Sequence, residues 1–266
     1  MKPAVILLHC SGSSARQWER LSRRLDGHCA VHAIDLHGHG ARAAWSGDGR
    51  YTLDDEAALV LPLLERSGGA HLVGHSYGGA VALHVATRRP DLVRSVAVFE
   101  PVLFGLLAEP AQAHGSAARE AAGIADTLRA EVARGATDDA AERFVDYWSG
   151  AGAWRAMSPQ SQRSMAARMP TVLRHFDALS GAPAAGALER LAMPLLCMSG
   201  SRSTAAALRI AELLCERLPR AVHRTLVGVG HMGPITHADW FNQYVASFLG
   251  IAAHHGQQPA SRWAVA

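Results

Sequence analysis

The stretch Gly74-His75-Ser76-Tyr77-Gly78 has the spacing G-x-S-x-G, which can present a serine hydroxyl for nucleophilic attack. It follows an apolar run typical of a strand and precedes an alanine-containing run typical of a helix, so a sharp turn would lift the Ser76 hydroxyl above the sheet edge. A neutral serine needs a base, most often an imidazole, to take its proton and return it to the leaving group. The motif therefore indicates acyl transfer, although alone it also fits a glycine-rich turn with a structural serine.

The elements that would position this serine alternate between short β-rich runs and longer helical runs, the pattern of parallel strands with crossover helices. The apolar runs predict six strands, near residues 4–9, 30–35, 70–75, 93–100, 194–199 and 221–227. We expect an α/β fold with a mostly parallel, doubly wound sheet of about six strands and helices on both faces. The helical stretch 104–190 predicts an inserted lid on a core of residues 1–103 and 191–250, with 251–266 as a flexible tail.

With these elements in order, the chain resembles the α/β-hydrolase superfamily over nearly its whole length. The segment "LLHCSG" after the first strand matches the family's oxyanion loop, with Cys10 where glycine is usual, and "DLHGHG" matches a family turn. The late segment "GVGHMGP" matches the loop that carries the catalytic histidine. The resemblance implies that His231 is the base and that the backbone N–H groups of Tyr77 and Ser11 form the oxyanion hole.

The acid that should orient His231 is missing from its usual place in this family. Many members carry an aspartate in a G-x-x-D turn after the next-to-last strand, where this sequence reads Gly200-Ser201-Arg202-Ser203. A second family arrangement places the acid after the strand that follows the nucleophile helix, which here ends in Glu100. Since the carboxyl ends of parallel strands meet at one sheet edge, we predict Glu100 as the acid. The alternatives are a purely structural Glu100 and a Ser–His dyad held by Ser203 or water.

The lid is expected to cover the serine turn and give the site an apolar pocket. Cys10 has no activating partner nearby in the sequence, so a thiol in the pocket wall is expected there. His75, at the variable position of the motif, is expected to pack or to line the pocket. The residues predicted to contact substrate are Cys10, His75, Phe104, Trp148, Trp154 and Met232.

The composition limits the kinds of molecule that this protein is expected to bind. The chain of 266 residues has 49% hydrophobic residues and a formal charge of +3, and its arginines are scattered, so no nucleic-acid partner is expected. The first apolar run is too short for a membrane span and no cleavage site follows it, so we expect a cytoplasmic protein without membrane contact. His37 and His39 lack the further ligands of a metal site and are expected to form a turn, so no metal is expected. No cofactor is expected either. A homodimer is left open.

The expected activity is hydrolysis of small hydrophobic carboxylic esters or lactones, chosen on the apolar character of the lid. Two alternatives stay open. One is a carbon–carbon bond hydrolase of vinylogous diketones, which would use the same three side chains. The other is a non-catalytic member of the fold that binds a small molecule; the presence of Ser76 and His231 argues against it, and the missing turn aspartate argues for it.

Overall fold

The computed structural model describes residues 2–251 except 110, 112, 114, 180–184 and 219. The predicted tail at 251–266 therefore lies outside the described residues apart from Ile251. Part of the predicted lid, residues 180–184 among it, also lies outside them.

One six-stranded sheet forms the centre of the fold. The strand order is β2-β1-β3-β4-β5-β6, and every neighbouring pair is parallel. The predicted doubly wound α/β fold is confirmed, and the sheet is parallel throughout. The strands are β1 Ala4–Leu8, β2 Ala30–Ile34, β3 Ala70–His75, β4 Val93–Phe99, β5 Leu195–Gly200 and β6 Val222–Leu226.

Alternating side chains of the central strands enter two separate cores. In β1, Ile6 and Leu8 belong to the larger apolar cluster, whereas Val5 and Leu7 belong to the smaller one on the opposite face. A strand covered by helices on both faces reads as a continuous apolar run, because neither set of side chains meets water. This explains why "AVILL" is buried along its whole length.

The helices of the core cover both faces of the sheet. Those packed on the larger cluster are α2 Leu53–Arg66, α3 Tyr77–Arg88 and α10 Ala205–Arg217, and those on the smaller one are α1 Glu19–Leu25 and α12 Ala238–Phe248. A 3-10 helix at Ala15–Trp18 precedes α1, and the short α11 Gly233–Thr236 precedes α12. Helix α2 begins at a capping box in which Thr52 and Asp55 satisfy each other's backbone N–H groups.

Six helices lie between β4 and β5 in the described part of the chain, and we call them the inserted helices. Helix α6 packs against α5 and α8, burying Phe144, Val145 and Trp148 along one face. Within the described residues, no helix has the length and apolar character needed to cross a membrane. The inserted helices are α4 Phe104–Leu107, α5 Ser116–Ala133, α6 Thr137–Ser149, α7 Ala153–Ala156, α8 Pro159–Leu179 and α9 Ala185–Leu188.

Candidate active site

Ser76 lies in a strained turn between β3 and α3. Its backbone has φ 55° and ψ −119°, in the region that L-residues rarely adopt. A Cβ atom at Gly74 would lie 2.4 Å from the Gly78 carbonyl oxygen, and one at Gly78 would lie 2.2 Å from the Leu8 carbonyl oxygen. Both positions therefore require glycine, and the close approach that they permit holds the Ser76 hydroxyl at the carboxyl end of the sheet.

His231 connects Ser76 to Glu100. Its Nε2 lies 2.9 Å from Ser76 Oγ, and its Nδ1 lies 2.6 Å from Glu100 Oε2. Because a carboxylate oxygen accepts the Nδ1 hydrogen, Nε2 is left to accept the hydrogen of the Ser76 hydroxyl. The three residues are only 2–6% exposed. The Trp148 ring lies over the imidazole, with ring centroids 4.0 Å apart.

Glu100 is held by the turn that lacks a carboxylate. Its Oε1 accepts hydrogen bonds from the Gly200 backbone N–H at 2.7 Å and from the Ser203 hydroxyl at 2.6 Å. β4 and β5 are neighbours in the sheet, so the end of one lies beside the end of the other. The Glu100 backbone has φ 43°, unusual for a residue with a side chain. The last residue of β5 and the turn after it thus supply two donors to a carboxylate that directly follows the adjacent strand.

The two residues expected to form an oxyanion hole line the same cavity as Ser76. Tyr77 is the first residue of α3, where no helical carbonyl is available to its N–H. Ser11 follows β1, and no acceptor within the described ranges contacts its N–H, whereas the Cys10 N–H donates to Gln17 Oε1 at 3.2 Å. Both N–H groups are therefore free to bind a developing negative charge beside Ser76.

A cavity of about 250 Å³ lies over Ser76, between the core loops and the inserted helices. Four residues predicted to contact substrate line it: Cys10, Phe104, Trp148 and Met232. Its further apolar lining comes mostly from α6 and α8 and includes Phe144, Val145, Met165, Phe176 and Leu179. In the sequence these residues form apolar faces of helices. A helix that packs on another helix shows the same pattern, so the sequence could not distinguish residues that line a cavity from residues that only pack.

Two residues predicted for the pocket lie elsewhere. His75 is fully buried, where its Nε2 contacts the His231 carbonyl oxygen at 2.9 Å and its Nδ1 contacts Gln17 Nε2 at 3.1 Å. Burial lowers the pKa of His75 well below its usual value, so the ring is neutral and supports the His231 loop. Trp154 packs in the apolar cluster, and its backbone N–H donates to Asp146 Oδ1 at 2.8 Å. Neither belongs to the cavity lining.

The Cys10 thiol lines the cavity without the character of a nucleophile. Burial raises the pKa of this thiol to about 12, because the thiolate would lose its hydration there. At neutral pH the group is therefore the thiol, which packs as a small apolar side chain.

The turn after β2 is held by its own polar side chains. The Asp35 carboxylate accepts the N–H groups of Ala15 at 2.7 Å and Ala41 at 2.9 Å, and His39 Nε2 accepts the Gly12 N–H at 2.9 Å. In the described part of the chain, no group of three His, Cys, Asp or Glu side chains is placed to hold a metal ion.

The sequence and the fold of this chain are similar to those of known proteins. A sequence model of the alpha/beta hydrolase family matches residues 5–244. A pimeloyl-(acyl-carrier protein) methyl ester esterase of Chromobacterium violaceum is 26% identical over 261 residues, which cover 94% of this chain and 96% of the esterase. Lipase LipV of Mycobacterium tuberculosis is 36% identical over 101 residues, 37% of this chain and 37% of the lipase.

One solved structure shows the likeness of fold. MGS-M2, an alpha/beta hydrolase enzyme from a Medee basin deep-sea metagenome library, superposes with a TM-score of 0.73 at 18% identity, over 97% of this chain and 92% of that chain.

Proposed function

Because this chain belongs to the α/β-hydrolase family, we propose that it hydrolyses small hydrophobic carboxylic esters or lactones through an acyl-enzyme on Ser76. That the protein is a hydrolase of this fold follows from its family and relatives. The substrate class and the role of each side chain are the proposal. The observation that carries it is the continuous chain of hydrogen bonds from Ser76 through His231 to Glu100 at the floor of an apolar cavity.

The proposed first half of the reaction forms the acyl-enzyme. Ser76 Oγ attacks the ester carbonyl carbon while its hydrogen passes to His231 Nε2. Glu100 keeps the imidazole in the productive tautomer and stabilises the imidazolium. The N–H groups of Tyr77 and Ser11 bind the oxyanion of the tetrahedral intermediate. When this collapses, the leaving alcohol takes the proton from His231.

The proposed second half repeats these steps with water. His231 takes a proton from a water molecule, which attacks the acyl carbon, and the tetrahedral intermediate again places its oxyanion on the two N–H groups. His231 then returns that proton to Ser76 Oγ, which leaves as the restored hydroxyl, and the carboxylic acid is released. With a lactone, alcohol and acid are two ends of one product.

The size and lining of the cavity support a small, hydrophobic acyl group. A volume of about 250 Å³ lies just below the range of about 300–1,000 Å³ typical of ligand pockets. The walls carry aromatic rings and methionine side chains from the inserted helices, with Ser76, His231 and a few serines as polar groups. The esterase and lipase named above are consistent with ester chemistry.

Labelling with a fluorophosphonate tests the nucleophile directly. The wild type should be labelled, Ser76→Ala should not, and His231→Ala should react far more slowly. An unlabelled wild type, or equal labelling of Ser76→Ala, would show that the proposed chemistry is wrong.

Turnover of a p-nitrophenyl ester series from acetate to octanoate, with a γ-lactone and a dienoate diketone, tests the substrate class. We expect turnover of the shorter esters to exceed that of octanoate. Turnover of the dienoate alone would instead favour the carbon–carbon bond hydrolase.

A homodimer, a cytoplasmic location and the lack of a nucleic-acid partner stay predictions from the sequence.

A further inference from the structure

Helix α8 contacts the loop after β1 at three points along its length. Gly12 leaves so little room that a Cβ atom there would lie 2.9 Å from Met165 Cε. Arg168 Nη1 donates to the Gly12 carbonyl oxygen at 3.4 Å. His175 Nδ1 lies 2.6 Å from Ser11 Oγ. The loop that carries one proposed oxyanion donor is therefore held by an inserted helix as well as by the core.

His175 also contacts the residue that carries the second proposed donor. Its ring stacks on the Tyr77 ring, with centroids 3.8 Å apart and planes 4° from parallel. The imidazole is fully buried. One side chain of α8 thus touches the side chains of both Ser11 and Tyr77, which line the same cavity as Ser76.

The surroundings of His175 indicate a neutral ring that acts by position. Burial, together with the neighbouring histidines His39, His9 and His37, holds its pKa well below the usual value. Its Nε2 has no hydrogen-bond partner within the described ranges, and the nearest carboxylate oxygen, Glu56 Oε1, is 3.7 Å away. Among the described residues, the ring therefore makes one hydrogen bond, between Nδ1 and Ser11 Oγ.

We propose that His175 is a positioning residue for the oxyanion hole, fixing Ser11 by a hydrogen bond and Tyr77 by stacking so that their N–H groups converge beside Ser76. The proposal rests on the function proposed above, because it concerns the same reaction. Its consequence is that the inserted helices complete the catalytic geometry in addition to lining the cavity. The substrate carbonyl would meet a formed oxyanion hole only where α8 is seated on the loop after β1.

The size of the expected effect follows from what is lost. Removing one oxyanion donor costs about 10²- to 10³-fold in kcat, and a displacement of about 1 Å can cost about 10²-fold. His175→Phe keeps a ring that can stack on Tyr77 and loses the contact to Ser11. Because both N–H groups remain present, we expect kcat to fall about 10- to 100-fold and KM to stay within about twofold.

The test compares His175→Phe, Ser11→Ala and the double variant on p-nitrophenyl butyrate. Ser11→Ala keeps the backbone N–H and removes only the hydroxyl, so it should lower kcat by a similar factor. The double variant should lose no more than the larger single loss, because both changes remove the same hydrogen bond. Ser11→Ala also keeps the test decisive if His175→Phe does not fold.

A trifluoromethyl ketone supplies a readout that simple packing would not move. Ser76 Oγ adds to the ketone carbon, its proton passes to His231, and the resulting oxyanion occupies the same place as in the reaction. The inhibition constant of His175→Phe should rise by the same factor as kcat/KM falls. The matched control is His71→Phe, which breaks a similar contact, His71 Nδ1 to Ser95 Oγ at 2.7 Å, at the opposite end of β3. Its kcat should stay within about twofold of the wild type.

Three outcomes would overturn the inference while leaving the proposed function intact. They are a His175→Phe enzyme with kcat within about threefold of the wild type, losses in the two single variants that multiply in the double variant, and an inhibition constant that does not follow kcat/KM. If the wild type neither hydrolyses esters nor reacts with a fluorophosphonate, the proposed function itself fails.

Discussion

Replacing Glu100 with glutamine changes one atom and tests the proposed acid. The Gly200 N–H can only donate, and it points at Glu100 Oε1 from 2.7 Å. The glutamine must therefore place its carbonyl oxygen there, where it also accepts from Ser203. Its amide NH₂ is then forced toward His231 Nδ1, 2.6 Å from the present Oε2. Two donors cannot face each other at that distance, so Nδ1 must give up its hydrogen.

The consequence is an imidazole in the wrong tautomer. With Nδ1 accepting from the amide, Nε2 carries the hydrogen and cannot take the proton of Ser76. The equivalent carboxylate-to-amide change in a serine protease lowers kcat by about 10⁴-fold. At 1.36 kcal/mol for each factor of ten, that is about 5 kcal/mol of transition-state stabilisation. We expect a similar loss in Glu100→Gln.

The assay is kcat for p-nitrophenyl butyrate, with active sites counted by slow phosphonylation of Ser76. Glu131→Gln is the matched control, because Glu131 is also buried but lies in α5 and pairs with Arg143. Its kcat should equal that of the wild type. A Glu100→Gln enzyme that keeps more than a tenth of wild-type kcat would refute the assignment of the acid and would leave the assignment of Ser76 untouched.

Two further predictions concern stability. Gly78→Ala should lower the free energy of unfolding by about 1–3 kcal/mol, because its Cβ would lie 2.2 Å from the Leu8 carbonyl oxygen. Gly123→Ala in α5 should be neutral or stabilising, because a Cβ atom at Gly123 would have nothing within 4 Å. Urea unfolding measures the stability of both variants, and equal stability would contradict the prediction. Burial raises the pKa of the Glu56 carboxyl from 4.5 to about 7, so the folded state binds this proton more tightly than the unfolded state does. The contribution of Glu56 to the free energy of unfolding therefore falls as the pH rises through that range, by about 3 kcal/mol in total. Glu56→Gln should therefore gain stability relative to the wild type between pH 5 and pH 8, and a difference that does not change with pH would argue against a raised pKa.

The sequence predicted the strands of the sheet well because each strand carries the same local signal, a short apolar run. Each of the six strands lies within one residue of its predicted position at either end. Apolar side chains must cover both faces of a parallel strand, so the run of residues 4–8 marks β1 without reference to anything distant. The place of Glu100 also followed from the order of elements along the chain, since it ends the predicted strand after the serine helix and the carboxyl ends of parallel strands meet at one sheet edge.

The cavity lining was less accessible from the sequence. Phe104 and Trp148 are in the lining and Trp154 is not, although all three are aromatic residues of the inserted helices. An apolar face on a helix has the same spacing whether it packs on another helix or faces a cavity. His75 shows the same limit, because its neighbour in the motif, Ser76, lines the cavity while its own ring lies behind His231.

By itself, the sequence determined the positions of the six strands, the sharp serine turn and the choice of candidate residues, because these depend on sterics and hydrophobic pattern within a few neighbouring positions. Only the tertiary structure decided that Ser203 binds Glu100 and that His175 reaches Ser11. These pairs are 103 and 164 residues apart. Such contacts depend on how β5 lies beside β4 and how α8 is seated on the core, and that is set by the packing of the whole molecule rather than by any local run of residues.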